Sequence, residues 1–137
     1  DEKTVRAINE YAIELGLGFQ MFDDYLGVAG DPAKTGKSVG NDIRKGKCTC
    51  MVIHALKNIK DPAELEEFKS VLGNLDATDE QCARAKDIME KAGSIEYGLN
   101  LARQKVDIAK AKIAFLPETE KKEFMLALAD YSINREV

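Results

Sequence analysis

The chain of 137 residues has no tryptophan, one histidine, three prolines and three cysteines. Cys48, Cys50 and Cys82 cannot all pair with one another, and none stands in the Cys-x-x-Cys spacing used by zinc sites and thioredoxin-like motifs. That usage predicts a reducing, cytoplasmic setting. No apolar run approaches the ~18 residues that a membrane span requires, and Asp1-Glu2-Lys3 does not open a signal peptide. Positive charge is not in excess either: twenty Lys and Arg against twenty-four Asp and Glu leave a net charge of −4. A broad basic face for nucleic acid or an acidic membrane surface is thereby excluded, so any site for a phosphate group has to be local. An initiator methionine is missing while helical periodicity is under way by Val5, which leads to the expectation that the chain starts inside a larger protein.

What is present is the composition of a globular protein, 45% hydrophobic and 32% charged. The length suits a single core, and one helical domain over residues 1–137 is expected. Val5, Ile8, Ala12, Leu15, Phe19, Phe22 and Leu26 recur in steps of three and four, the mark of a long amphipathic helix. From Gly27 to Gly46 the period vanishes among glycines and Pro32, and the stretch reads as one long loop. It carries Lys34, Lys37, Asp42, Arg44 and Lys47 rather than neutral filler, which favours a functional loop. Thr49 to Leu56 is apolar almost all round and reads as a buried helix, although its β-branched content leaves a strand open. Asp61-Pro62 with Glu64, then Thr78 with Gln81, are helix starts; Gly73 and Gly93 are the matching stops. Ile95, Leu99, Ala102, Val106, Ala109, Ile113 and Leu116 form the clearest heptad, ended by Pro117. Phe124, Leu128 and Tyr131 mark the face of a last helix, and no alternating strand pattern occurs. The predicted class is all-α, a helical bundle.

Chemistry concentrates where the first helix meets the loop. Gln20 stands three and four residues before Asp23 and Asp24, so the three side chains share one side of the helix. Two adjacent carboxylates repel unless a cation lies between them, and hard oxygen donors of this kind suit Mg²⁺, which often completes its shell with substrate phosphates. The segment from Gly30 to Ser38 superficially matches a nucleotide P-loop. Five residues rather than four separate Gly30 from Gly36, and the segment follows a helix instead of a strand, so that reading is rejected. Lys37 and Lys47 remain as point charges and Asp42 as a third carboxylate, a mixture suited to a metal–diphosphate complex. His54, in an apolar helix, reads as a packing residue, and Cys48 and Cys50 as small side chains rather than metal ligands.

The run Gly16 to Leu56 contains Phe19-Gln20, Asp23-Asp24-Tyr25-Leu26, Gly30-Asp31, Gly36-Lys37, Gly40, Asp42-Ile43 and Gly46-Lys47-Cys48-Thr49. It resembles the second aspartate-rich motif, here at 19–49, of the trans-isoprenyl diphosphate synthases, among them the farnesyl and geranylgeranyl diphosphate synthases. The resemblance implies the isoprenoid synthase fold, of which this chain would be the C-terminal portion, and a cytoplasmic homodimer. It implies Mg²⁺-dependent prenyl transfer, in which an allylic diphosphate ionises and isopentenyl diphosphate attacks the carbocation to give a farnesyl or geranylgeranyl product. By the same resemblance Asp23 would be a direct Mg²⁺ ligand, Asp24 would act through metal-bound water, and Asp42 would support the metal shell. Lys37 and Lys47 would hold the leaving diphosphate, and Gln20 would line the allylic pocket.

Two positions depart from the family pattern. The motif's usual third aspartate falls at Gly27, where a restored carboxylate, Gly27→Asp, is expected to be tolerated or to tighten Mg²⁺. The family's first aspartate-rich motif does not occur, since Asp23-Asp24 is the only Asp-Asp pair. The chain by itself is therefore expected to be catalytically inert and to self-associate through faces left uncovered. The alternative from another class is a non-catalytic partner subunit related to these synthases.

Overall fold

The computed structural model describes residues 1–30 and 40–134, and among them every regular element is a helix. They are α1 (Glu2–Ala29), α2 (Asn41–Arg44), α3 (Cys50–Asn58), α4 (Pro62–Val71), α5 (Asp79–Lys91), α6 (Ser94–Lys112) and α7 (Glu120–Ile133). The chain divides into two compact units, one of Asp1–Phe22 with the chain from Asn100 onward, the other of Asp23–Leu99. The boundaries fall inside α1 and α6.

In the first unit Tyr11, Val106, Ala109, Ile113 and Ala129 form the core, flanked by Leu15, Leu116, Met125, Leu126 and Ile133. Gly18 lets α1 lie close on α6, because a Cβ there would stand 3.0 Å from Val106 Cγ2 and 3.1 Å from the Ala102 carbonyl oxygen. The Tyr11 hydroxyl donates to the Met125 carbonyl at 2.6 Å, and burial raises its pKa. Lys122 is itself buried and donates to the carbonyls of Ala114 (2.7 Å) and Leu116 (2.9 Å), closing orphan acceptors beyond α6. The heptad largely behaves as expected: Ala102, Val106, Ala109 and Ile113 are fully buried and Leu116 half-buried.

One expected face holds only in part and another is reversed. On α1 the buried positions in this unit are Ala7, Tyr11, Gly18 and Phe22; of the predicted stripe Phe22 is buried and Leu15 half-buried, whereas Val5, Ile8, Ala12 and Phe19 are exposed. On α7 the buried positions are Lys122, Ala129 and Ser132, while Phe124, Leu128 and Tyr131 face solvent. Both helices carry apolar residues on more than one face, and periodicity alone cannot say which face is covered.

The second unit is built from short, well-capped helices. Thr49 caps α3 by accepting from the Val52 N–H, Asp61 caps α4 by accepting from the Ala63 N–H, and Thr78 with Gln81 closes both bonds of a capping box on α5. The core comprises Met51, Val52, Phe68, Val71, Cys82, Ala85, Ile88, Met89 and Ile95 among others. The Thr49–Leu56 stretch is a helix and not a strand; Met51, Val52 and Ala55 are buried, but Ile53 and Leu56 lie at the surface. Gly98 supplies a close approach to Met51, whose side chain a Cβ there would strike.

The expected loop from Gly27 to Gly46 is shorter than its composition suggested. Helix α1 continues through Gly27 and Val28 to Ala29, and Asn41–Arg44 forms one helical turn. Gly27 has an ordinary helical φ, so its role is not backbone freedom. Lys34 and Lys37 lie outside the described residues.

Candidate carboxylate–lysine site

The site occupies the end of α1 and the turn that follows α2. On a continuous helix, nine residues past Glu14, Asp23 and its neighbour Asp24 are held by a rigid backbone; Asp24 is buried, its side chain 12% exposed. Lys47 comes from the other side, its position fixed by backbone bonds of the α2 turn. Its own N–H donates to the Asp42 carbonyl at 3.0 Å, and the Gly46 N–H donates to the Ile43 carbonyl at 2.9 Å. Its ammonium group donates to Asp24 Oδ1 at 2.6 Å and stands 3.7 Å from Asp42 Oδ2. The structure thus gathers Asp24, Asp42 and Lys47 of the predicted set, and Asp23 adds its charge to the field at Lys47.

That field shows in the protonation of its members. The hydrogen bond to Asp24 holds the Lys47 pKa above its ordinary value against the opposing effect of partial burial, with the charges of Asp24, Asp42 and Asp23 adding. Burial, then the charge of Asp24, pushes the Cys50 thiol up, which places Cys50 beside the site as a protonated, neutral neighbour. Lys47 is half-exposed, so it is a cation with one carboxylate in hand and a side open to solvent.

Gly27 explains how Asp42 reaches this place. A Cβ on Gly27 would stand 2.6 Å from Asp42 Oδ2, closer than real Cβ atoms come. The bare backbone one turn after Asp23 is the surface on which the Asp42 carboxylate rests. Gly27→Asp would bring a further carboxylate against Asp42, whose side-chain end would have to shift to make room. Sequence spacing offered no sign of this contact, since fifteen positions separate the two residues. The Arg44 anchor described below was equally hidden.

Other predicted residues fall apart from this group. Gln20 is an exposed residue of α1 in the first unit, and Lys37 belongs to the segment outside the description. His54 is a packing residue as expected: its ring stacks on Tyr97 with centroids 4.3 Å apart, and Nδ1 lies 3.0 Å from the Oγ of the buried Ser94. Among the described residues no three His, Cys, Asp or Glu side chains converge closely enough to hold a metal by themselves. The donors at the site are nonetheless hard carboxylate oxygens, the chemistry that Mg²⁺ takes, and that ion is commonly held by one or two carboxylates with phosphate and water completing its shell. Asp23, Asp24 and Asp42 fit Mg²⁺ on those terms.

The fold and site define an all-α protein with paired aspartates near the end of a long helix, facing a lysine from the next turn. The family model described as polyprenyl synthetase matches residues 1–89. The short chain isoprenyl diphosphate synthase of Methanothermobacter thermautotrophicus is 36% identical over 132 residues, covering 96% of this chain and 40% of its own length. Among solved structures, geranylgeranyl pyrophosphate synthetase from Pyrococcus horikoshii superposes with a TM-score of 0.91 at 31% identity, over 99% of this chain and 41% of that one. Geranylgeranyl pyrophosphate synthase from Corynebacterium glutamicum, complexed with isoprenyl diphosphate and magnesium, gives 0.90 at 28% identity, over 99% and 39%. The chain belongs to the polyprenyl synthetase family. It spans about 40% of the length of the curated relatives it matches.

Proposed function

We propose that the protein containing this chain catalyses prenyl transfer, the condensation of an allylic diphosphate with isopentenyl diphosphate, and that this chain supplies the second of its two aspartate-rich sites. The observation that carries the reading is the grouping of Asp24, Lys47 and Asp42 against Gly27 beside Asp23. Breaking the allylic C–O bond moves negative charge onto the departing diphosphate. A cation already fixed in place stabilises that charge more in the transition state than in the bound substrate, and so accelerates ionisation. Lys47 is such a cation, held by Asp24 and half-open to a phosphate oxygen arriving from solvent. Lys37 is assigned the same duty and Gln20 a place along the allylic chain. Mg²⁺, held by Asp23 directly, by Asp24 through water and with Asp42 in support, would neutralise diphosphate charge and fix the leaving group. Asp42 in turn keeps Lys47 oriented.

The motif at 19–49 would place the chain in the C-terminal portion of a single helical domain, in a cytoplasmic homodimer making a farnesyl or geranylgeranyl product. Alone, with one set of aspartates, it would be inert, because the leaving diphosphate would be bridged by metal from one side only. The test is a radiolabelled product assay with dimethylallyl and isopentenyl diphosphates and Mg²⁺ on the intact protein and on these 137 residues. Product from the intact protein alone supports the whole reading, and product from the isolated chain removes its inertness. No product from either would point to a non-catalytic partner subunit instead.

A further inference from the structure

Asp42 and Lys47 sit on a turn too short to position itself, and what anchors it lies on the side away from the aspartates. The Arg44 side chain, 15% exposed, leaves α2 in the direction of α5; its Nε donates to the Ala77 carbonyl at 2.8 Å and its Nη2 pairs with Asp79. Ile43 between the two functional residues is buried, and its carbonyl accepts from the Gly73 N–H at 2.9 Å. Gly40, at the start of the turn, packs so closely on Cys82 that any side chain there would collide with it.

The placement of Arg44 runs against the helix dipole. Its cation lies at the start of α5, where the partial positive charge of the N-terminus disfavours it, and Asp79 and Glu80 in the first turn offset the conflict. Asp79 is 93% exposed, so the ion pair by itself contributes little. The bond with consequence is the one to the Ala77 carbonyl, in which a nearly buried guanidinium closes a buried residue's acceptor and pins the α2 turn to the α4–α5 connection.

We infer that Arg44 is a positioning residue for the diphosphate end of the site: through Ala77 it sets where Asp42 and Lys47 meet Asp24. This rests on the prenyl-transfer reading above. A displacement of about an ångström at a catalytic group is enough to cost a large factor in rate, and Arg44 carries the side-chain bond that ties the α2 turn to the residues ahead of α5.

The experiment compares the intact wild-type protein with Arg44→Ala, Arg44→Lys and Asp79→Asn. Arg44→Ala should raise both KM for the allylic diphosphate and the Mg²⁺ concentration for half-maximal rate by roughly tenfold or more, with KM for isopentenyl diphosphate within about twofold. Arg44→Lys, able to reach the Ala77 carbonyl with one donor, should recover part of the loss, and Asp79→Asn should stay near wild type. Mapping of Cys82 alkylation by mass spectrometry reports the joint directly, and Arg44→Ala should speed it. Unchanged allylic and Mg²⁺ parameters in Arg44→Ala, or an equal rise for both substrates, overturns the positioning role while leaving the reaction in place. A wild-type protein that makes no prenyl product overturns the reaction and this role with it.

Discussion

Among the described residues, thirteen buried side chains form one cluster in the unit of Asp23–Leu99, whereas five do in the unit of Asp1–Phe22 and the chain from Asn100. The difference is not one of composition. The smaller cluster belongs to the longer helices, whose Val5, Ile8, Ile13, Leu17, Phe124 and Tyr131 stay at the surface. The larger cluster draws mainly on three helices of nine to thirteen residues, each started by a side-chain cap and two of them followed by a glycine stop, Gly73 and Gly93. Short capped helices turn back on one another and cover their own apolar faces; long uninterrupted ones carry apolar surface further than their neighbours reach. The charged site lies in the unit of Asp23–Leu99, and the bonds of Lys47 to Asp24 and of Arg44 to Ala77 are made within it.

The strongest way to break that picture is at the chemistry. Asp23→Ala in the intact protein should lower the prenyl-transfer rate by two orders of magnitude or more, roughly the effect of removing a charge-stabilising group, while helical circular dichroism stays unchanged. Near-normal turnover at saturating Mg²⁺ would remove Asp23 from the metal shell. The same deletion made in both units sharpens the contrast in packing. Phe68, fully buried, should cost about 3–5 kcal/mol when changed to Ala, whereas Phe124→Ala, at 68% exposure, should stay within about 0.5 kcal/mol, both read from urea unfolding.

Gly27→Ala separates site from scaffold inside the second unit. An alanine is favoured over glycine within a helix by roughly 0.5–1 kcal/mol, so the melting temperature should hold or rise. The added Cβ should push Asp42 off its seat and raise the Mg²⁺ requirement severalfold. A lowered melting temperature with unchanged Mg²⁺ dependence would contradict the contact. The smallest effect expected is from pH. The Lys47 pKa is raised above the ordinary 10.5, chiefly by its bond to Asp24, so the pairing stabilises the fold fully below that value and is lost as pH climbs through the raised one. Exposure screens the pair. Wild type and Lys47→Met should therefore converge modestly in stability above about pH 10.5 and keep a constant gap between pH 7 and 9; a gap that closes toward neutral pH would contradict the assignment.

The all-α class and the helix starts at Asp61 and Thr78 were legible in the sequence, because caps act through local spacing; the bond between Lys47 and Asp24 was not, since spacing pointed each of them at a ligand rather than at the other. The outward faces of α1 and α7 were not, since Phe19 and Phe124 satisfy a helical period as well as Tyr11 and Ala129 do. Which of two apolar stripes is covered depends on neighbours that no single helix encodes. Gly27 read as the first residue of a loop for a related reason: glycine signals a break unless something needs the room, and here Asp42 needs it.

Gly46 and Gly73 touch across twenty-seven positions of sequence, both at positive φ (62° and 79°), and a Cβ on Gly46 would lie 3.1 Å from the Gly73 Cα. Both positions take the left-handed φ that strains a side chain, but the crowding is one-sided, since a Cβ on Gly73 would meet the Gly46 Cα at an ordinary 3.8 Å. In descent, the two glycines are therefore unequally bound. A change at Gly46 meets both the angle and its neighbour, and nothing at Gly73 can relieve it, because that partner is already the smallest residue there is. The turn that carries Lys47 should then keep its glycine more strictly than the α4–α5 connection keeps Gly73.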